Sequence, residues 1–253
     1  MKKVLIFCML LIFTMGILSG CGSVSKDSAA KPDEQKKIVV GLDDNYPPMG
    51  FRDENNEITG FDVEVAKEAA KRLGCDIEFK AIDWDSKEAE LKSGRVDVLW
   101  NGLDITEKRK ENMLFSDPYM DKRQIVFVAK GNPEGIKSEA DLKDKIAGTQ
   151  SGGTAEEYID SHEDFKNTMK EVKKYSDYIS AFMDLENGRA DVIVSDEVTG
   201  RYYMSKHPDK IEALDIVIGP VTQFGIGFRK DDQALHDKIQ KVMDEMKQDG
   251  TMA

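Results

Sequence analysis

One pattern occurs twice in this chain. Leu91-Lys-Ser-Gly-Arg-Val-Asp-Val98 and Leu185-Glu-Asn-Gly-Arg-Ala-Asp-Val192 both read Leu-x-x-Gly-Arg-x-Asp-Val. In each copy the glycine ends a helix, and a short apolar run follows that suits a buried strand, Val96–Trp100 and Asp191–Ser195. Two helix–glycine–strand units of like design predict two α/β lobes. Ligands of open α/β sheets bind beyond the carboxyl ends of the strands. Asn101, Gly102 and Asp104 are expected there in the first copy, and Ser195 and Asp196 in the second. Arg109 follows about one turn into the next helix. A cation from one lobe and an anion from the other would then face a shared cleft.

Length and charge narrow the classes. The 253 residues, 40% of them hydrophobic, suffice for one large or two small domains. The net charge is −12, and −14 without Lys2 and Lys3. That argues against nucleic acid as a partner, because phosphate binding needs a basic face. Lys and Glu are interspersed, as on a solvated surface. Of the three cysteines, Cys8 and Cys21 fall in the leader, which leaves Cys75 alone. No internal disulfide and no zinc cluster is expected, nor any other metal or cofactor.

Residues 1–20 read as a signal peptide, with Lys2 and Lys3 ahead of the apolar core Val4–Leu18, which is short for a membrane span. Leu18-Ser-Gly-Cys21 resembles the bacterial lipobox. That resemblance implies lipidation of Cys21, which becomes the N-terminus and tethers the protein to the outer face of the cell membrane. Residues 21–37 lack apolar periodicity and read as a flexible tether.

A βα rhythm follows. Strands are expected at Ile38–Leu42, Ile77–Ile82, Gln124–Lys130, Lys145–Thr149, Leu214–Ile218 and Gln223–Phe228, the last returning to the first lobe. Helices are expected at Phe61–Leu73, Tyr175–Asn187, Glu197–Lys206 and Asp232–Gln248. Asp43–Pro48 is a loop, since two prolines oppose both helix and ladder. Asp85 with Glu88 forms a capping box. Gly131-Asn-Pro133 is a plausible crossing between lobes, and Gln150–Thr154 a glycine loop opening a helix.

The lipobox, Gly60-Phe-Asp-Val63, Trp84-Asp-Ser86, Trp100-Asn-Gly102, Ile105-Thr-Glu-Lys-Arg109, Phe115-Ser-Asp-Pro-Tyr119, Gln150-Ser-Gly-Gly-Thr154 and Phe224-Gly-Ile226 occur in one order. Together they resemble the family 3 solute-binding proteins of polar amino-acid ABC importers, over about residues 38–250. The resemblance implies a two-lobed, periplasmic-binding-protein-like α/β fold of type II, its lobes joined by two crossing strands. Lobe 1 would be 38–122 with 223–253, and lobe 2 would be 123–222. It implies clamp closure on a free polar α-amino acid, delivery to an ABC permease and its ATPase, and a monomer.

By position, Arg109 resembles the arginine that grips the ligand's α-carboxylate, and Asp196 the aspartate that takes the α-ammonium. Thr154 would add a hydroxyl or backbone donor, Gly102 would offer backbone at close approach, and Asn101 lies at the strand end. Tyr46 and Trp84 resemble the aromatic pair around the ligand side chain, which Asp43 would also contact. Each has a plainer alternative: Arg109 a surface charge, Asp196 a helix cap, Trp84 core, Thr154 a turn residue. Two features depart from the family. Asp104 stands where Ser or Thr is usual, so it can pair with Arg109 or add an anion near the ligand's ammonium. The chain stops at Ala253, where a further helix and an aromatic are usual, which is expected to cost stability. Asp43, Asp44 and Asp104 make the region acidic and point to a cationic or neutral polar amino acid, with no basic residue besides Arg109 standing out near the pocket. The competing readings are a dehydratase acting on prephenate-like acids and a ligand-sensing module; the chain is expected not to be an enzyme.

Overall fold

The computed structural model describes residues 37–252. The signal peptide, the lipidation cysteine Cys21 and nearly all of the tether lie outside the described residues. The first half runs β1 (Lys37–Leu42), β2 (Asn45–Tyr46), β3 (Gly50–Arg52), β4 (Ile58–Thr59), α1 (Phe61–Leu73), β5 (Asp76–Ala81), α2 (Lys87–Lys92), β6 (Val98–Asp104), α3 (Glu107–Lys110), β7 (Met113–Phe115) and β8 (Met120–Lys122). The second runs β9 (Gln124–Ala129), β10 (Ile146–Gln150), α4 (Thr154–Ser161), α5 (Glu163–Lys166), β11 (Glu171–Tyr175), α6 (Tyr178–Glu186), β12 (Val192–Asp196), α7 (Glu197–Lys206), β13 (Ile211–Val217), β14 (Thr222–Arg229) and α8 (Gln233–Gln248).

Two sheets carry the two lobes. The first has the order β5-β1-β6-β14-β7, with β8 also on β14; the second has the order β11-β10-β12-β9-β13. The repeat is visible in both. β1 lies parallel between β5 and β6, as β10 lies parallel between β11 and β12. In each sheet an antiparallel strand then joins, β14 on β6 and β9 on β12. The repeated aspartate does one job twice. Asp97 exchanges bonds with Val39, its carboxylate taking the Val39 N–H at 2.9 Å, and Asp191 does the same with Ile146 at 2.7 Å. A carboxylate that receives a backbone N–H fixes where the neighbouring parallel strand starts.

Each lobe has its own core. α1 lays Val65, Ala66 and Ala69 on the first sheet beside Leu235, Ile239, Val242, Met243 and Met246 of α8. Helical spacing of the apolar residues produces both stripes. Gly74 ends α1 with φ 68°, a left-handed position that Gly adopts at little cost. In the second lobe Val126, Val128, Val192 and Val194 pack on Ala155 and Ile159 of α4.

The chain passes from the first sheet to the second between β8 and β9, and returns between β13 and β14. The two crossings lie side by side, Thr222 paired with Lys122 and Ile218 N–H on the Gln124 carbonyl at 3.0 Å. This corrects the expected crossing at Gly131-Asn-Pro133. β9 is already in the second sheet, and Asn132 turns the chain at its far end, its N–H on the Ala129 carbonyl. Four further expectations change. β6 runs on to Asp104, since β14 pairs with it as far as Phe224–Asp104, so Asn101, Gly102 and Asp104 sit within the strand. Asp83, not Asp85, accepts the capping N–H, in a single 3-10 turn over Trp84–Ser86 ahead of α2. Tyr175 ends a strand on β10, and Asp177 caps α6 from Ser180 N–H at 2.7 Å. The Asp43–Pro48 stretch contains β2, part of a small sheet with β3 and β4.

Candidate functional site

The lobes meet along a line drawn by the carboxyl ends of β6 and β12. Thr106 makes the first contribution from the sequence upward. Its hydroxyl accepts the Arg109 N–H at 3.2 Å and caps α3, which turns Arg109 inward. Arg109 is 1% exposed. Its guanidinium donates to the Asp104 carbonyl at 3.2 Å on its own lobe, and to the Gly152 carbonyl at 3.2 Å and the Glu157 carboxylate at 2.9 Å on the other. Its Nε–H is buried with no partner among the described residues. A glycine is needed at 152: φ is 71°, and a Cβ would lie 2.7 Å from the Asp85 Cα across the cleft.

The anion from the second lobe is Asp196, at the end of β12. It stands at the start of α7 but makes no side-chain cap. Its carboxylate faces the cleft instead, accepting the Tyr46 hydroxyl and lying 2.6 Å from the Lys122 ammonium. Lys122 is 5% exposed, the last residue of β8. Its ammonium also reaches Asp104 at 2.9 Å and donates to the Thr154 hydroxyl at 2.7 Å. Thr154 in turn donates to Asp104 at 2.9 Å and accepts from the Gln124 amide, and Thr222 donates to Asp104. Burial pushes Asp104 up, but Lys122 and Arg109 outweigh it and hold its carboxyl below the usual range. Burial pushes Asp196 up, with Asp104 adding to the effect against Lys122. Lys122 is held in its charged form by the two carboxylates against the cost of burial.

Asp104 therefore pairs with Lys122 rather than primarily with Arg109, whose Nη1 is 3.9 Å away. The expectation that no basic residue besides Arg109 stands out near the pocket is corrected. Lys122 is at its centre, and Lys87 is buried at its edge, donating to the Gly152 carbonyl at 2.8 Å and the Trp84 carbonyl at 3.2 Å. Burial and the neighbouring Arg109 push Lys87 down to about 8. Both lysines lie in polar runs that read as solvated surface. The one signal in the sequence was Asp104 itself, a carboxylate that needed a cation once buried.

The remaining expected residues fall as follows. Asp43 accepts Asn45 N–H at 2.8 Å and, across the cleft, the Gln150 amide at 2.6 Å. Burial pushes its carboxyl up to about 7, against the two hydrogen bonds. Asn101 accepts the Asp43 N–H at 3.1 Å and so positions that loop. Gly102 has φ 56°, and a Cβ there would lie 2.6 Å from the Tyr46 ring, so the close approach at this glycine is made by Tyr46. The Gly102 N–H goes to Asp62 at 2.6 Å, a buried carboxyl that Tyr119 also meets at 3.0 Å and that burial pushes up to about 7. Tyr46 and Trp84 pack in different clusters. Tyr46 packs with Tyr178 and Phe224, whereas Trp84 joins Leu91, Val96, Leu99, Leu103 and Met113 in the first-lobe core, with Lys87 above its ring.

The arrangement is a closed clamp with two charged stations. Cations and anions face one another: Arg109 and Lys122, with Lys87 at the edge, against Asp104, Asp196 and Glu157. A guanidinium fork suits a carboxylate, and a buried carboxylate suits an ammonium. Among the described residues no group of three or more His, Cys, Asp or Glu is placed to hold a metal ion, and no helix is long and apolar enough to cross a membrane.

Comparison with known proteins adds to this geometry. The family model for bacterial extracellular solute-binding proteins, family 3, matches residues 38–253. The chain is 32% identical to the ABC transporter arginine-binding protein 1 of Escherichia coli over 99% of its own length and 96% of that protein's. A solved ABC uptake transporter substrate-binding protein from Streptococcus pneumoniae with bound histidine superimposes with a TM-score of 0.80 at 31% identity, covering 85% of this chain and 88% of that one. An ancestral amino acid-binding protein, described as a precursor of cyclohexadienyl dehydratase, superimposes with a TM-score of 0.79 at 32% identity, covering 87% and 93%.

Proposed function

The chain belongs to the bacterial extracellular solute-binding proteins, family 3, and from that premise we propose that it captures a free polar α-amino acid and delivers it to an ABC importer. One observation supports the reading: Arg109 of one lobe and Asp196 of the other are both buried, with Asp104 and Lys122 between them. A zwitterion offers a carboxylate to the first and an ammonium to the second. It can satisfy both only when the lobes are together, so its binding favours the closed state. A ligand without the ammonium adds nothing at Asp196, which keeps only its pairing with Lys122 and the Tyr46 hydroxyl. Relatives named for arginine and histidine fit a cationic or neutral polar ligand, as does Asp43 at the far end of the cleft.

We assign residues 38–122 with 223–253 to lobe 1 and 123–222 to lobe 2. Lipidation of Cys21 would hold the protein at the outer face of the cell membrane, as a monomer that docks on a permease driven by an ATPase. The chain is read as a binding protein and not an enzyme, and incubation with a prephenate-like acid is expected to return it unchanged. A thermal-shift screen of the twenty amino acids and cystine tests the main reading. One or a few polar α-amino acids should raise Tm, with a stabilisation of about 2.7 kcal/mol at a hundredfold excess over Kd. The reading fails if none does.

A further inference from the structure

The ring of Phe51 meets the ring of Tyr202, with centroids 5.7 Å apart and planes inclined at 50°. The two belong to different lobes. Phe51 lies in β3, whose small sheet is tied to the start of α1: the Phe61 N–H reaches the Pro48 carbonyl at 2.8 Å and the Asp62 N–H the Met49 carbonyl at 2.9 Å. Tyr202 lies in α7, which is seated on the second sheet. Gly200 leaves room there for the Phe127 ring of β9, and Tyr203 stacks on Phe182. Phe51 and Tyr202 are half-buried, and neither is part of the apolar cluster of a lobe. Their place is outside the charged stations. A Cβ on Gly50 would point at the Asn101 amide, so Phe51, the next residue of the strand, faces the other side of the small sheet. Tyr202 lies about 9 Å along α7 from Asp196. The Lys206 ammonium, one turn on, stands over the Tyr202 ring at 5.5 Å and holds that ring on its own helix.

We infer that Phe51 and Tyr202 form a closure contact that sets the affinity of the cleft for every ligand by one common factor and takes no part in choosing among ligands. The inference rests on the reading above, in which a captured amino acid favours the closed state. Each ring is carried by its own lobe, so the pair exists only where the lobes are together. An interaction confined to the closed form stabilises that form whatever fills the cleft. Apparent affinity follows the share of the protein in the binding-competent form, so losing the pair weakens all ligands alike. A tilted aromatic pair is worth about threefold to tenfold in an equilibrium. That biases closure and leaves the ligand to drive it. Selectivity stays with the groups that touch the ligand, and the two rings adjust how tightly the same choice is held.

The test is a double-mutant cycle with Phe51→Ala and Tyr202→Ala, read by titration calorimetry with each of the twenty amino acids and cystine that raises the Tm of the wild type. Phe51→Leu replaces Phe51→Ala if urea unfolding shows the latter to be poorly folded. Each single variant should bind about threefold to tenfold more weakly than wild type, by the same factor for each ligand. The double variant should be no weaker than the weaker single, within about twofold, because either substitution already removes the pair. Tyr202→Phe keeps the ring and should keep wild-type affinity. Single variants that bind as wild type does, losses that multiply in the double variant, or factors that differ between ligands by more than about threefold each overturn the inference. These failures appear in the variants while the wild type still binds. A wild type that binds none of the compounds overturns the amino-acid reading, and the inference with it.

Discussion

Arg109→Lys separates a fork from a point charge. The guanidinium reaches three acceptors on two lobes: the Asp104 carbonyl at 3.2 Å, the Gly152 carbonyl at 3.2 Å and the Glu157 carboxylate at 2.9 Å. One lysine ammonium lacks the planar, divergent pair of nitrogens that meets two carboxylate oxygens at once. Charge is kept and one charge-assisted bond to the ligand is lost, about 1.5–3 kcal/mol. At about 1.4 kcal/mol per tenfold, affinity should fall by about tenfold to a hundredfold. Lys110 and Lys108 flank the position and keep the helix polar, and the Thr106 cap involves only the 109 backbone, so α3 is retained. Stability without ligand should fall by about 1 kcal/mol, the worth of one ordinary hydrogen bond. Calorimetric titration gives the first number and urea unfolding the second. Affinity within twofold of wild type would refute the assignment of Arg109 to the ligand carboxylate.

Three further outcomes follow from the same geometry. Thr106→Ala removes the α3 cap and should cost about 1 kcal/mol in urea unfolding, with a loss of affinity as Arg109 is no longer held inward; an unchanged midpoint and Kd would contradict it. Gly102→Ala forces a Cβ to within 2.6 Å of the Tyr46 ring at φ 56°, so Tm should drop by several degrees, and an unchanged Tm would show that Tyr46 moves freely. Asp62 and Asp43 are held near 7 in the fold by burial, above their ordinary value of 3.8. The folded state therefore binds protons that the unfolded state has released, so their stabilisation is full below about 4 and is lost as pH rises through about 7. Urea midpoints at pH 5.5 and pH 8 should differ more in wild type than in Asp62→Asn, which keeps an acceptor for the Gly102 N–H; equal differences would remove Asp62 from the account.

The parts of this fold that were legible repeat or obey a period. Leu-x-x-Gly-Arg-x-Asp-Val could be read twice because Asp97 and Asp191 fix the neighbouring parallel strands by the same two bonds. The α1 and α8 stripes were legible for a similar reason: their apolar spacing is what places them on the sheet. Arg109 was found through its motif, and the motif has a cause, since Thr106 caps the turn that aims it. Short strands such as β7, β8 and β11 were not legible. They are held by partners distant in sequence and carry no alternation of their own. Lys122 was missed for the deepest reason. Asp121-Lys-Arg123 looks like solvated surface, and only the convergence of Asp104, Thr154 and Asp196 makes its middle residue a buried charge. The resemblance pairs Trp84 with Tyr46 around a ligand, while the core alternative for Trp84 has its cause in the cluster with Leu91 and Leu99.

The account stands on a cleft that takes the two ends of a zwitterion in opposite lobes. A crystal structure grown with the amino acid that gives the largest thermal shift tests this most directly. The account predicts the α-carboxylate on the Arg109 guanidinium and the α-ammonium on Asp196, each within hydrogen-bond distance. An amino acid bound elsewhere, or one lying in the cleft away from both groups, would contradict it.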